Sequence, residues 1–249
     1  MSTCILEVKD AAYSYEEGRY AIQNINLKIN KGEKIAVIGN NGAGKSTFFL
    51  SLNAVIKPQK GELYLHDKKV DYSRKSLLML RKSVGMVFQN PDDQIIASTV
   101  EKEISFGLFN LGIKQEEVEK RVNHVMQELN LTQYAKRPPH FLSGGEKKRI
   151  TIADILIMEP EIILFDEPTS SLDYKNICLL KEQLEALHKK NVTLLISTHD
   201  TNFVWEWADR IIVFSDGEIV ADDTPNKIFA NEQLLEKACV QKPLLFERG

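Results

Sequence analysis

Cysteine is scarce in this chain. Cys4, Cys178 and Cys239 are its three copies, far apart and forming no C-x-x-C pair. That excludes a disulfide framework and a cysteine zinc site, and it reads as reduced thiols in a cytosolic protein. Cys178 falls in a helical pattern and is expected to be a small core residue. Long apolar runs are also missing. None approaches the ~20 residues of a membrane span, and the N-terminus has no basic stretch followed by a long apolar one, so no secretion signal is expected. An excess of one charge is absent too: 32 basic and 35 acidic residues leave a net charge of −3. This gives no general attraction to nucleic acid or anionic lipid. Repeats and low-complexity segments are absent. The remainder, 43% hydrophobic and 27% charged over 249 residues, suits one large α/β unit.

The most informative stretch present is Gly39-Asn40-Asn41-Gly42-Ala43-Gly44-Lys45-Ser46, followed by Thr47. It fits G-x-x-x-x-G-K-[ST] between two apolar runs, Ile35–Ile38 and Phe48–Leu50, the strand–loop–helix context that a phosphate-binding loop needs. Glycine lets the backbone turn its amides toward an anion, and the helix beginning near Lys45 adds its positive end. Lys45 is expected to reach the outer phosphates, Ser46 to ligate Mg²⁺, and Thr47 to offer a second hydroxyl.

Alternation over 5–9 and 22–29 predicts antiparallel strands, and 62–65 a further short one. Val84–Phe88 predicts a buried strand that stops at Asn90-Pro91. From 99 to 158 the pattern is helical, with Val118, Val122, Val125, Met126 and Leu129 on one face and a break at Pro138-Pro139. Continuous apolar runs at 162–165, 192–196 and 211–214 read as parallel strands covered on both faces, with a helix striped by Ile177, Leu180, Leu184 and Leu187 among them. The expected fold is therefore α/β. It has a mostly parallel P-loop core, an antiparallel β edge subdomain, a helical subdomain inserted at about 90–160 and a short helical tail at about 225–249, all in one domain.

Two acids, Asp166 and Glu167, end the 162–165 run. At the carboxyl end of a core strand Asp166 can hold Mg²⁺ through water, and Glu167 can accept a hydrogen bond from a water in line with a γ-phosphate. Leu142-Ser143-Gly144-Gly145-Glu146 leaves two readings open. It is either a second anion-binding turn at a helix N-terminus or a plain N-cap in which Ser143 and Glu146 form a capping box. One nucleotide does not need two such turns from one chain, so the first reading calls for a second subunit.

Together Gly39–Thr47, Gln89, Leu142–Glu146, Phe165–Pro168, Ser171-Leu172-Asp173 and His199 resemble, in order and over nearly the whole chain, the ATPase subunit of ABC transporters. The resemblance implies that Tyr15 stacks on adenine. It implies that Gln89 senses the γ-phosphate and Mg²⁺, and that Ser143, Gly144, Gly145 and Glu146 face ATP bound to the opposite subunit. Asp173 then joins the two sites, and His199 contacts the γ-phosphate. Glu146 departs from the family's usual Gln. Phe88–Gln94, Ser105-Phe106-Gly107 and Glu206–Arg210 resemble energy-coupling-factor importers, particularly their cobalt/nickel branch, whereas Asp154 and 170–174 depart from the commonest spelling. The resemblance implies ATP hydrolysis with Mg²⁺, a homodimer or a heterodimer with a second such ATPase, and a position on the cytoplasmic face of the membrane. It also implies a transmembrane coupling subunit and a substrate-binding membrane subunit as partners. The segment after Gln89, including Asp92, Asp93 and Ile104–Leu111, is the candidate docking surface, since acidic residues there would suit basic helices. ABC-type ATPases that act on DNA carry long coiled coils or zinc cysteines, and ribosome-acting ones usually carry two cassettes; neither pattern is here. Intact Glu167 and His199 argue against a non-catalytic regulatory subunit.

Overall fold

The computed structural model describes residues 3–170 and 172–246; Ser171 lies outside the described residues. The chain opens with two long antiparallel strands, β1 (Cys4–Glu16) and β2 (Arg19–Asn30), and then β3 (Lys34–Ile38) runs into helix α1 (Lys45–Leu52). β4 (Lys60–Leu65), β5 (Lys68–Lys69), α2 (Arg74–Ser83) and β6 (Val84–Val87) follow. Three helices come next: α3 (Val100–Asn110), α4 (Gln115–Glu128) and α5 (Gly144–Leu156). The chain then alternates through β7 (Ile162–Asp166), α6 (Tyr174–Lys189), β8 (Thr193–Ser197), α7 (Thr201–Trp207) and β9 (Arg210–Ser215). It ends in β10 (Glu218–Asp223), α8 (Pro225–Ala230) and α9 (Glu232–Lys237).

Two sheets form. One is antiparallel, in the order β2-β1-β4-β5; the other has the order β10-β9-β3-β8-β7-β6. In the second, β9, β3, β8, β7 and β6 are parallel and β10 pairs antiparallel at one edge. Period-2 alternation divides these buried strands between two cores. Ile35, Val37, Ile162, Leu164, Leu195, Ile212 and Phe214 face the antiparallel sheet, with Phe48 and Phe49 of α1 packed in the same layer. Ala36, Ile38, Ile163, Phe165, Leu194, Ile196, Ile211 and Val213 face a second core shared with α3–α7. The expected mixed α/β architecture is present, and continuous apolar runs mark its doubly covered strands.

Several details differ from the sequence reading. β1 and β2 extend well beyond 5–9 and 22–29, because their outer ends are held by pairing rather than by an alternating apolar face. The break between α4 and α5 begins before Pro138. Asn130, at φ 54°, ends α4 as a left-handed cap, and Pro139 only starts a short 3₁₀ turn. Helix in the tail stops at Lys237; the chain beyond returns to α7, where Phe246 packs on Trp205 at 5.1 Å between ring centres and the Leu244 N–H donates to Asn202 Oδ1 at 2.8 Å. Cys178 is only half-buried, since it lies beside rather than on the Leu180/Leu184/Leu187 stripe. Among the described residues no helix is long and apolar enough to cross a membrane.

Candidate active site

The carboxyl ends of four neighbouring parallel strands converge, the position at which open α/β sheets gather ligands. β3 leads into the glycine loop, β7 into Asp166 and Glu167, β8 into Ser197-Thr198-His199, and β6 into Phe88-Gln89. They bound an open cleft of about 1250 Å³ lined by Tyr15, Gly39–Gly42, Gly44–Thr47, Gln89, Glu167 and His199, with Asp216 and Cys239 also on its wall.

The glycine loop is built to expose amides. Gly44 is the residue before α1, at φ 105°, where a side chain is strained and a Cβ would meet the Ala21 carbonyl at 2.5 Å. The first N–H groups of α1 have no partner within the helix and stand at its positive end. Lys45 folds back over the loop, its Nζ donating to the carbonyls of Gly39 at 2.8 Å and Asn40 at 3.0 Å. Burial pulls its pKa down, opposed by the charges of Glu167 and Asp166. A desolvated ammonium beside two acids has much to gain from an anion. Ser46 is exposed, while Thr47 is buried and its Oγ1 lies 3.3 Å from the Tyr15 hydroxyl. Tyr15 is 60% exposed, edge-on to Tyr13 at 5.0 Å, so its outer face is open to a planar group.

The two acids are fixed differently. Asp166 is buried and its Oδ1 accepts from Ser197 Oγ at 2.5 Å. Glu167 sits at φ 43° with its N–H donating to Ser197 O at 3.0 Å and to Ser197 Oγ at 3.1 Å. Its Oε2 is 3.0 Å from Nδ1 of His199, whose side chain is 71% exposed. Ser197 thus positions both acids, a role that the sequence reading missed. A serine closing an apolar strand next to an acid-ended one was the available signal. Among the described residues no cluster of three or more His, Cys, Asp or Glu could enclose a metal. The donors at hand are one carboxylate, one hydroxyl and one amide (Asp166, Ser46 and Gln89), which suits a hard cation that keeps its waters and takes further oxygens from phosphates.

Gln89 is exposed on the cleft wall, and its backbone is anchored from α5. Lys148 Nζ donates to Phe88 O at 2.8 Å and to Gln89 O at 3.2 Å. Lys148 is buried, which lowers its pKa to about 8, with Asp166 opposing the shift. The sequence showed only a basic run there. Beyond it Gln94 joins the two segments: its Oε1 accepts from Phe88 N–H at 3.2 Å and its Nε2 donates to Asp154 Oδ2 at 3.3 Å. Burial raises Asp154 to about 7, with Glu103 adding to the shift and Gln94 opposing it. Asp92, expected to meet a partner, is paired with Lys147 at 2.7 Å and remains exposed.

The Ser143 turn stands apart and does not line the cleft. Within one chain the capping-box reading is what the geometry contains. Ser143 N–H and Oγ both donate to Glu146 Oε2 at 2.8 Å, and Glu146 N–H donates to Ser143 Oγ at 3.4 Å. The Glu146 pKa is lowered, chiefly by the Tyr134 side chain and then by the Ser143 N–H. Asp173 caps α6, its Oδ1 accepting from Asn176 N–H at 2.8 Å.

Residues 22–170 match the model of the ABC transporter family. The chain is 45% identical over 239 residues to the energy-coupling factor transporter ATP-binding protein EcfA of Methanocaldococcus jannaschii, covering 96% of this chain and 86% of that one. The protein of the same name from Methanococcus maripaludis is 46% identical over the same shares. Among solved structures, cbiO1 of Clostridium perfringens, described as part of the ABC transporter complex cbiONQ, superposes with a TM-score of 0.82 at 35% identity, covering 99% of this chain and 98% of that one. A dimeric ATP-binding cassette in a post-hydrolysis state with ADP and Pi gives 0.80 at 31%, over 89% and 99%. On these matches the chain belongs to the ABC transporter family, as an ATP-hydrolysing subunit of the energy-coupling-factor type.

Proposed function

We propose that the chain powers an importer for cobalt, nickel or another micronutrient from the cytoplasmic face of the membrane, by closing with a second copy or near-copy around two ATP molecules. The observation that carries this reading is the separation of the cleft from the Ser143 turn. Each is a glycine-rich helix N-terminus, and within one chain they do not meet, so a nucleotide in the cleft is left open on one side. A head-to-tail pair, in which each turn covers the other subunit's cleft, closes both openings by one two-fold operation.

In that arrangement the Gly39–Ser46 amides and Lys45 would hold the β- and γ-phosphates, and Tyr15 would support the adenine. Ser46, Gln89 and Asp166 would hold Mg²⁺, Asp166 through water. That ion neutralises charge as it develops on the phosphate oxygens. Glu167 would accept a hydrogen bond from the attacking water, and His199, already against Glu167, would turn to the γ-phosphate. Ser143, Gly144, Gly145 and Glu146 would meet the triphosphate of the other subunit, with Asp173 beside the junction. Once the γ-phosphate leaves, the shared contacts are lost and the interface opens.

The membrane partners, a coupling subunit and a substrate-binding subunit, would dock beyond Gln89. Ile96, Phe106 and Phe109, all in this segment of the chain, are exposed at 71%, 47% and 51% and would be available to an apolar partner. Among the described residues Asp93 has no ion-pair partner, whereas Asp92 is paired with Lys147. The metal cargo rests on the resemblance of 88–94 and on the likeness to cbiO1.

Reconstitution tests the whole reading. The chain is purified with the membrane proteins that accompany it, placed in liposomes with MgATP on its side, and Co²⁺ and Ni²⁺ accumulation is followed. Metal uptake that stops with Lys45→Ala is the expected result. Phosphate release that drives a different solute, with neither metal accumulated, would remove the metal assignment and keep the ATPase.

A further inference from the structure

The two glycines of the Ser143 turn are not equivalent. A Cβ placed on Gly144 meets nothing within 4 Å, so that residue faces open space. A Cβ on Gly145 would lie 2.6 Å from Oδ1, 2.7 Å from Cγ and 2.8 Å from Nδ2 of Asn176. The Asn176 amide therefore lies directly on the Gly145 backbone, and any side chain at position 145 would displace that amide. The same amide is held from its other side. Asn176 Nδ2 donates to Asp173 Oδ1 at 2.9 Å, beside the backbone N–H bond to the same oxygen. From Asp173 the path back to the acid is short: Leu172 N–H donates to Thr169 O at 3.2 Å, and Ser170 Oγ donates to Glu167 O at 2.8 Å.

From this geometry we infer that Asn176 is a positioning residue that ties the Ser143 turn to the Asp173 loop, so that the two ATP sites of the closed pair report on each other. The inference rests on the proposed function, in which the Ser143 turn of a subunit acts on its partner's nucleotide while Glu167 acts on its own. Asn176 does not line the cleft of its own subunit. Its amide spans the gap between the groups serving the two sites: any shift of Gly145 on closure pushes the amide, and the amide pulls Asp173. An amide is suited to this place. It packs flat against a glycine backbone and still donates to a carboxylate, whereas a carboxylate would face Asp173 with like charge.

The test is ATP hydrolysis as a function of ATP concentration for wild type, Asn176→Ala and Asn176→Asp, with ATP affinity measured by calorimetry on each. Wild type is expected to be cooperative, with a Hill coefficient of about 2 for two coupled sites. Both variants are expected to keep ATP affinity within about twofold, because the glycine loop is untouched. Their kcat should fall about tenfold and their Hill coefficient approach ~1. Unchanged affinity also reports an intact fold, since Leu180, Leu184 and Leu187 still pack α6. A residue that merely supports the helix would lower thermal stability and leave the Hill coefficient alone; that result in both variants overturns the inference. A wild-type chain that neither associates nor hydrolyses ATP would overturn the proposed function instead, so the two failures are distinguishable. Should Asn176→Ala lose affinity through misfolding, Asn176→Asp, nearly isosteric, decides between the outcomes.

Discussion

The glycine loop and the Ser143 turn begin as the same object, a glycine-rich helix N-terminus, and the chain finishes them in opposite ways. Around the glycine loop, unpaired amides and a buried lysine stand beside two acids, with the lysine bonded only to carbonyls of its own loop. In the proposed reading these donors are the ones a triphosphate would meet. At the Ser143 turn the amide and hydroxyl are already occupied, because Glu146 reaches back and closes a capping box. An anion arriving there must displace a carboxylate from the same chain, while Gly144 stands open beside it. In the proposed reading, the site filled first would be the one left unsatisfied, and the one engaged on closure would be kept satisfied until then. The second arrangement also protects the lone subunit from the cost of unpaired polar groups.

The largest predicted effect lies on the cleft side. Glu167→Gln is expected to retain ATP binding and to lower phosphate release by roughly 10²–10⁴-fold, the usual contribution of a group that positions or deprotonates the attacking water. Steady-state phosphate release with calorimetric ATP affinity checks this. An affinity loss equal to the rate loss would move Glu167 from chemistry to binding.

The next effect separates the two glycines of the turn. Gly144→Ala is expected to leave the thermal midpoint within a degree or two, since its Cβ enters open space, yet to raise the ATP concentration needed for closure by about tenfold, or roughly 1.4 kcal/mol. Gly145→Ala displaces the Asn176 amide and forfeits its bond to Asp173, costing about 1 kcal/mol and lowering the midpoint by about 2–4 °C. Thermal unfolding and ATP titration of dimer formation distinguish the two. If Gly144→Ala is silent in both assays, the open glycine does not face a partner.

A smaller effect tests the self-capping. Glu146→Gln keeps a side-chain oxygen for the Ser143 N–H and removes a negative charge from beside the incoming phosphate. Removing a like charge at about 4 Å in a watery setting is worth about 1 kcal/mol. The variant should therefore close at about fivefold lower ATP, measured by the same titration. A shift in the opposite direction would mean that the carboxylate assists closure.

The smallest effect is on pH dependence in the helical region. Asp154 accepts from Gln94 Nε2, which also donates to the Thr151 carbonyl, and the Glu103 charge acts on it as well. Its folded pKa of about 7 lies above the ordinary carboxylate value, so its neutral form favours folding. That contribution is full below about pH 4 and is lost as pH rises through 7. Asp154→Asn should flatten the fall in thermal midpoint between pH 5 and 8 by a few degrees and be the more stable chain at pH 8. Parallel pH curves for the two chains would show that Asp154 is hydrated in solution.

Legibility in the sequence followed local pattern and spacing, in cleft and turn alike. β3, β7, β8 and β9 were readable because parallel strands covered on both faces are continuously apolar. The glycine loop stood out because phosphate binding needs specific residue types at fixed chain spacing, and Asp166 and Glu167 because they end an apolar strand, whereas His199 was pointed to only by the family resemblance. β10, α2 and the true ends of β1 and β2 were not, since half-exposed elements such as α2, where only Leu80 is buried, carry a weak pattern. Ser197, Lys148 and Asn176 were hidden for another reason. Each acts on a residue distant in sequence: Ser197 on Asp166 across 31 positions, Lys148 on Phe88 across 60, and Asn176 on Gly145. Such pairings exist only after folding, and the residue types themselves are ordinary.

The most direct measurement is the mass of the Glu167→Gln chain by size-exclusion chromatography with light scattering, alone and together with its membrane partners, with and without MgATP. The account predicts one subunit's mass without nucleotide and a pair with it, each pair retaining two ATP molecules. A single cassette under both conditions, with ATP bound and no pairing even beside the membrane proteins, would contradict it.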